Sequence, residues 1–87
     1  MESQKLIDKG VLPLSALRKG QRGLVQLVSS ANKNLCGRLL TMGIVSGAAI
    51  EVLEFAPLGD PMKIRALGYE LSLRLGEASQ ILVRLAS

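Results

Sequence analysis

The segment Leu35–Pro61 constrains the fold of this chain more than any other feature, because a helix, a turn, a strand and a stiff loop follow one another within it. Polar residues that can accept a hydrogen bond from a free backbone N–H precede the segment. One of Ser29, Ser30 and Asn32 is therefore predicted to be the helix N-cap. The helix has about three turns and would not be stable alone, so it must cover an apolar surface.

The predicted helix has one apolar stripe and a glycine at its end. Apolar residues recur along it at spacings of three and four, and they are Leu35, Cys36, Leu39, Leu40 and Met42. Gly43 follows the last of them and is expected to take the left-handed backbone conformation, which costs glycine nothing sterically. Ile44 would then contact Leu39 across the helix end, as in a Schellman motif.

Five short strands are predicted around this helix. Alternating or apolar patterns bounded by glycines place them at residues 24–28, 49–55, 62–67, 69–73 and 81–85. The spacing of Glu51 and Glu54 breaks the alternation and predicts a bulge, whereas Gly68 predicts a tight hairpin. Five bent strands in so few residues favour a small closed or partly closed barrel, since closure removes exposed strand edges.

The same patterns predict which side chains form the core. Inward positions of the helix and strands alternate with polar ones, and Tyr69 falls on the inward face of its strand. The residues expected to be buried together are Leu39, Ile50, Val52, Ile64, Leu71 and Val83.

Length and composition limit the class of protein. The 87 residues predict a single domain, 1–87, with an ordered core at about 12–85, irregular residues 1–12 and a mobile stretch over the first eight. The single Cys36 can form no internal disulfide, no run of about 18 apolar residues occurs, and the first residues have no apolar signal-peptide core. A cytoplasmic location is therefore expected.

The chemistry of the side chains argues against an enzyme. The chain contains no histidine, which excludes Ser–His and Cys–His catalysis, and its glycines form no nucleotide-binding loop. Without imidazole, the carboxylates alone make a poor transition-metal site, so no metal site within the chain and no cofactor are expected. The carboxylates are scattered, at Glu51, Glu54, Asp60, Glu70 and Glu77. Cys36, Met42 and Met62 are interpreted as core residues rather than ligands.

Two residues are candidates for binding a protein partner. Pro57 and Pro61 fix the backbone at both ends of a loop and present Leu58 on a stiff arch, which loses little entropy on binding. Leu58 could equally fold inward as core. Arg38 faces away from the helix stripe and could pair with an acidic partner or remain solvated, and Asp60 is expected to hold the turn by accepting backbone N–H groups.

The ordered set of motifs resembles the FeoA family over about residues 12–85. The matching positions are Pro13-Leu14, Leu17, Gly20, Gly23, Arg38-Leu39, Met42-Gly43-Ile44, Gly47, Ile50, Val52, Pro57–Pro61, Ile64, Gly68, Leu71, Leu73, Glu77-Ala78 and Ile81–Val83. The resemblance implies a mostly β fold with one short helix, an SH3-like small five-stranded barrel. It also implies a non-enzymatic accessory of bacterial ferrous iron uptake that docks on and modulates a FeoB-type membrane transporter, whose cytoplasmic part is a GTPase. Through this partner, the protein would be peripherally attached to the inner membrane.

The net charge of +4 is compatible with an alternative function, that of a nucleic-acid-binding or regulatory small β-barrel domain. The basic residues form no run. Both aromatic residues, Phe55 and Tyr69, fit core positions, so the aromatic platforms that stack bases are missing. No stable nucleic-acid binding is therefore expected. The hydrophobic content of 48% favours an aliphatic surface that meets a protein. A weak homo-oligomer is left open by the sequence.

Overall fold

The computed structural model describes residues 10–86, and the prediction of a mobile stretch over the first eight residues falls outside this range. One sheet of six antiparallel strands has the order β1-β6-β2-β3-β4-β5. The elements in chain order are β1 Val11–Pro13, a 3₁₀ turn Leu14–Ala16, β2 Arg22–Val28, α1 Lys33–Thr41, β3 Ala49–Phe55, β4 Met62–Ala66, β5 Tyr69–Leu73, α2 Leu75–Ala78 and β6 Ile81–Leu85. The mostly β fold with one main helix is confirmed.

The predicted number of strands was one too low. The additional strand, β1, has three residues, ends in Pro13, and lies in a segment predicted to be irregular. It forms because it pairs with β6, with Leu12 opposite Val83. Three residues are too few to show a period, and proline is tolerated there because β1 is at the edge of the sheet.

Both ends of α1 follow from the local sequence. At the first turn, the Asn32 side chain accepts the N–H of Leu35 at 3.0 Å, which makes Asn32 the N-cap. At the other end, Gly43 has φ of +83° and its N–H donates to the carbonyl of Leu40 at 3.0 Å. The Ile44 N–H donates to the carbonyl of Leu39 at 2.8 Å, which completes the predicted Schellman motif.

The buried core contains only aliphatic side chains and one methionine, which come from α1, the sheet and the short turns. Its buried members are Leu14, Leu17, Val25, Leu35, Leu39, Ile44, Ile50, Val52, Met62, Ile64, Ala66, Leu73, Ala78, Ile81 and Val83. Five of the six predicted core residues are among them. The sixth, Leu71, packs against this core but is only partly buried. Tyr69 shares its face with buried Ala66 yet lies at the rim, where α1 ends, and is partly exposed.

Two irregularities bend the sheet. The predicted bulge occurs in β3, where the register with β4 shifts between Val52 and Glu54. A second shift, between Val25 and Leu27, interrupts the pairing of β2 with β6. It places the exposed Leu27 opposite Leu82 instead of on the buried face with Val25, which the alternation of β2 alone would not reveal.

The left-handed glycine at the end of α1 is testable by replacing it with alanine. In Gly43→Ala, the alanine would have to adopt a strained backbone conformation, and its Cβ would lie 3.1 Å from the Leu67 Cδ1 atom. We expect the free energy of unfolding to fall by about 1 kcal/mol or more, as measured by chemical denaturation. Gly37→Ala is the matched control, because Gly37 lies inside α1 with no atom near its Cβ position, and it should stabilise the protein by about 0.5–1 kcal/mol. Equal effects of the two substitutions would contradict the assignment.

The packing of α1 on the sheet is tested by two adjacent leucines. Leu39 is 1% exposed in the core, whereas Leu40 is 66% exposed although it belongs to the same apolar stripe. Leu39→Ala should lower the free energy of unfolding by roughly 2–5 kcal/mol, and Leu40→Ala should change it by less than about 0.5 kcal/mol. A larger loss at Leu40 than at Leu39 would show that the helix is rotated from the orientation described.

Candidate functional site

A cleft of about 560 Å³ lies between α1, β5 and the start of α2. Its lining combines apolar side chains with two arginines and one carboxylate, and it consists of Arg38, Met42, Pro61, Leu71, Ser72, Arg74 and Glu77. We call it the α1–β5 cleft. Of the two predicted partner residues, Arg38 lines the cleft, whereas Leu58 does not, although Pro61 at the end of its loop does.

The two walls of the cleft are joined at both ends. At one end, the Tyr69 hydroxyl of β5 donates to the Met42 carbonyl, at the C-terminus of α1. At the other end, the Arg38 guanidinium donates twice to the Glu77 carboxylate of α2, at 3.2 and 3.4 Å. Arg38 is therefore not simply solvated, because a carboxylate of the same chain already faces it, although its side chain remains half exposed.

Glu77 is the electrostatic centre of the cleft. Its carboxylate accepts the backbone N–H of Arg74 at 3.0 Å, at the first turn of α2. This hydrogen bond, and then the hydrogen bond from the Arg38 side chain, hold the pKa of Glu77 below its usual range. Arg74 adds its own positive charge nearby. Two guanidinium groups thus face one carboxylate, and the cleft has a net positive charge.

The loop before β4 holds Leu58 outside the fold. Leu58 is 96% exposed, so the alternative in which it packs inward as core is wrong. The loop is closed by hydrogen bonds from the Ala56 N–H to the Pro61 carbonyl, at 2.9 Å, and from the Gly59 N–H to the Ala56 carbonyl, at 2.7 Å. Pro61 then lines the cleft, three residues after the exposed leucine.

Asp60 has a longer-range role than the predicted one. Its Oδ1 atom accepts the N–H of Leu75, at 3.0 Å, which is the first residue of α2. The carboxylate therefore ties the loop to α2 instead of closing the loop on itself. Pairing between residues fifteen positions apart depends on the folded chain and could not be read from the Gly-Asp-Pro signal.

The other carboxylates lie in ion pairs on the outer face of the sheet. Lys63 on β4 is 3.6 Å from Glu54 and 3.9 Å from Glu70, and Arg65 is 3.6 Å from Glu51 and 3.3 Å from Glu70. These exposed pairs contribute little to stability. Within residues 10–86, no three side chains of the metal-binding types come together. The Cys36 thiol is half-buried and donates to the Ser29 carbonyl at 3.0 Å.

The sequence predicted an exposed aliphatic surface but not its position on the other flank of α1. Leu27 (57% exposed), Leu40 and Val45 (45% exposed) surround a groove of about 260 Å³ between α1 and β2. We call it the α1–β2 groove. Leu40 belongs to the predicted apolar stripe of α1, but it lies at the margin of the stripe and is exposed. None of the helices in residues 10–86 has the length and apolar character needed to cross a bilayer.

Comparison with known proteins identifies the family. Residues 12–85 match the FeoA domain. An Fe(2+) transport protein A/Fe(2+) transporter FeoB fusion protein of Porphyromonas gingivalis (strain ATCC BAA-308 / W83) is 38% identical over 74 residues, which are 85% of this chain. The chain spans 9% of the length of that fusion protein.

Two solved structures place the fold among known ones. The solution structure of the FeoA protein of Chlorobium tepidum is 39% identical, with a TM-score of 0.82 over 87% of this chain and 71% of the other. The FeoA of Stenotrophomonas maltophilia complexed with zinc, described as a prokaryotic SH3 domain protein, is 27% identical, with a TM-score of 0.70 over 80% of this chain and 86% of the other. The SH3-like fold is thereby confirmed, with a sheet that pairing does not close between β1 and β5. The match over residues 12–85 and the likeness to these proteins show that the chain belongs to the FeoA family.

Proposed function

We propose that this protein is a non-enzymatic adaptor of ferrous iron uptake that docks on the cytoplasmic part of a FeoB-type transporter and modulates it. Leu58 and the adjoining α1–β5 cleft form the docking surface. In this role the protein works at the cytoplasmic face of the inner membrane and is attached there through its partner.

The exposure of Leu58 is the observation that carries the proposal. A leucine that is 96% exposed contributes almost nothing to the folded chain, yet two prolines and two backbone hydrogen bonds hold its loop in place. A large apolar side chain on a stiff loop buries its surface in a partner with a small loss of entropy. The Asp60 bond to Leu75 fixes the loop beside the cleft, so both can contact one partner.

The comparisons favour the transporter as that partner. FeoA domains are small accessory domains, and in the P. gingivalis relative an FeoA part and an FeoB part belong to one chain. Fusion keeps two domains at a high effective concentration, which benefits domains that work in contact. The S. maltophilia relative is itself described as a candidate activating factor of ferrous iron transport.

The structure gives less support to the nucleic-acid alternative. Phe55 packs against the core, and the hydroxyl of Tyr69 donates a hydrogen bond to the Met42 carbonyl at the end of α1. Neither aromatic ring stands free as a stacking platform for a base. Lys63 and Arg65 are paired with carboxylates on the same face, which reduces their attraction for phosphates.

The docking surface is tested by placing a charge at Leu58. Because its side chain is in solvent, Leu58→Asp should leave the melting temperature within about 2 °C of the parent value. The same variant should fail to co-purify with the transporter from membranes and should abolish transporter-dependent iron uptake in cells, because a carboxylate would have to be buried in the contact.

Leu40→Asp is the matched control, since it places the same charge on another exposed leucine, in the α1–β2 groove. We expect it to fold and to retain both transporter binding and uptake. Two results would contradict the proposed surface: normal uptake with Leu58→Asp, or loss of uptake with Leu40→Asp alone. The second result would move the docking surface to the other flank of α1.

A further inference from the structure

Resting on the proposed function, we infer that the α1–β5 cleft binds an extended acidic segment of the partner, which adds to the sheet as a strand beside β5. Backbone groups of β5 hold this segment. Leu58 lies outside the cleft, so binding of the segment does not depend on it.

The free edge of β5 is the first observation. In the sheet, β5 pairs with β4 alone, so one side of β5 has no strand beside it. Leu71 and Ser72 both line the cleft although they are consecutive. Successive side chains of a strand point to opposite faces, so a cleft reached by both runs along the edge of the strand.

The hairpin geometry shows which backbone groups point to that edge. Leu67 and Gly68 both have positive φ, 54° and 87°, and they form a two-residue turn between the paired Ala66 and Tyr69. In such a hairpin the flanking pair exchanges both of its hydrogen bonds, and every second pair after it does the same. Leu71 therefore bonds to β4 through its pair with Ile64, whereas the N–H and C=O of Glu70 and Ser72 point away from β4. Within residues 10–86, no turn, loop or helix forms a backbone hydrogen bond with Glu70 or Ser72.

The lining of the cleft defines the chemistry of the segment. Met42, Leu71 and Pro61 supply an apolar floor for alternate side chains of an extended chain. Arg74 makes no ion pair within the described part of the chain, and Arg38 shares its charge with Glu77. The surplus guanidinium charge attracts a carboxylate, and an arginine holds it with paired N–H donors. A strand of alternating apolar and acidic residues can pair with the free edge of β5, cover the apolar floor and neutralise the surplus positive charge.

The experiment uses the full chain and two synthetic peptides. The first peptide has eight residues, acetylated, alternating valine with aspartate, and the second has lysine in place of aspartate. Binding is followed by ¹⁵N–¹H NMR, and amide hydrogen exchange is measured at saturation. We expect the acidic peptide to shift the amide signals of Glu70, Ser72 and Arg74, to slow exchange at Ser72, and to bind more weakly as salt is added. The lysine peptide should not bind.

A pair of variants at Ser72 separates backbone pairing from side-chain contact. Ser72→Pro removes the N–H that points into the cleft, and proline is tolerated at an edge strand whose N–H faces outward. It should fold and should weaken peptide binding by at least about tenfold, as expected when a backbone hydrogen bond is lost and a ring occupies its place. Ser72→Ala keeps the N–H and should bind as the parent chain does. Arg74→Gln tests the same site without altering the backbone, and it should weaken binding of the acidic peptide.

The outcomes are distinct. Loss of binding in Ser72→Pro with retention in Ser72→Ala supports strand addition. Equal binding by both variants, or shifts confined to the α1–β2 groove, overturns it, and so does equal binding of the two peptides. If Ser72→Pro does not fold, unchanged exchange at Ser72 in the parent chain with saturating peptide overturns the inference by itself. Failure of the parent chain to co-purify with the transporter would remove the proposed function, while the peptide measurement would still decide what the cleft binds.

Discussion

The left-handed turn at Gly43 is the constraint on which the rest of this small fold depends. It ends α1 after nine residues and directs Ile44 back against Leu39, so Ile44 joins the end of the helix to the core. Leu67 of the β4–β5 hairpin fills the space beside Gly43, and its Cδ1 atom lies 3.1 Å from the position that a Cβ on Gly43 would occupy. The position of the helix end and the position of β5 are therefore set by the same contact.

The α1–β5 cleft is a consequence of this arrangement. The sheet is not closed between its first and last strands, and β5 is left with an edge that faces the helix. The Tyr69 hydroxyl and the Arg38–Glu77 ion pair hold α1 across that edge without covering it. The same loop that places Pro61 in the cleft carries Leu58 into solvent. One surface thus combines a stiff apolar contact, a free strand edge and surplus positive charge.

The sequence predicted what depends on neighbours along the chain. Gly43, the Asn32 cap and the β3 bulge follow from signals within a few residues, and all three are confirmed. It could not predict what depends on distant pairing. The bulge that turns Leu27 outward forms against β6, more than fifty residues away. Likewise Arg38 faces Glu77, and Asp60 reaches Leu75, only because the fold brings these elements together. Leu58 and Arg38 could be named from the sequence, but the cleft that lies between α1 and β5 could be found only from the structure.

Hydrogen–deuterium exchange of the chain mixed with a detergent-solubilised FeoB-type transporter tests the proposed docking most directly. Buried contact and new backbone hydrogen bonds both slow amide exchange, so the measurement locates the docking surface without any substitution. The account predicts protection of the loop at 57–61 and of β5 at Glu70 and Ser72, with no change in the α1–β2 groove. Protection confined to that groove, around Leu27, Leu40 and Val45, would contradict it.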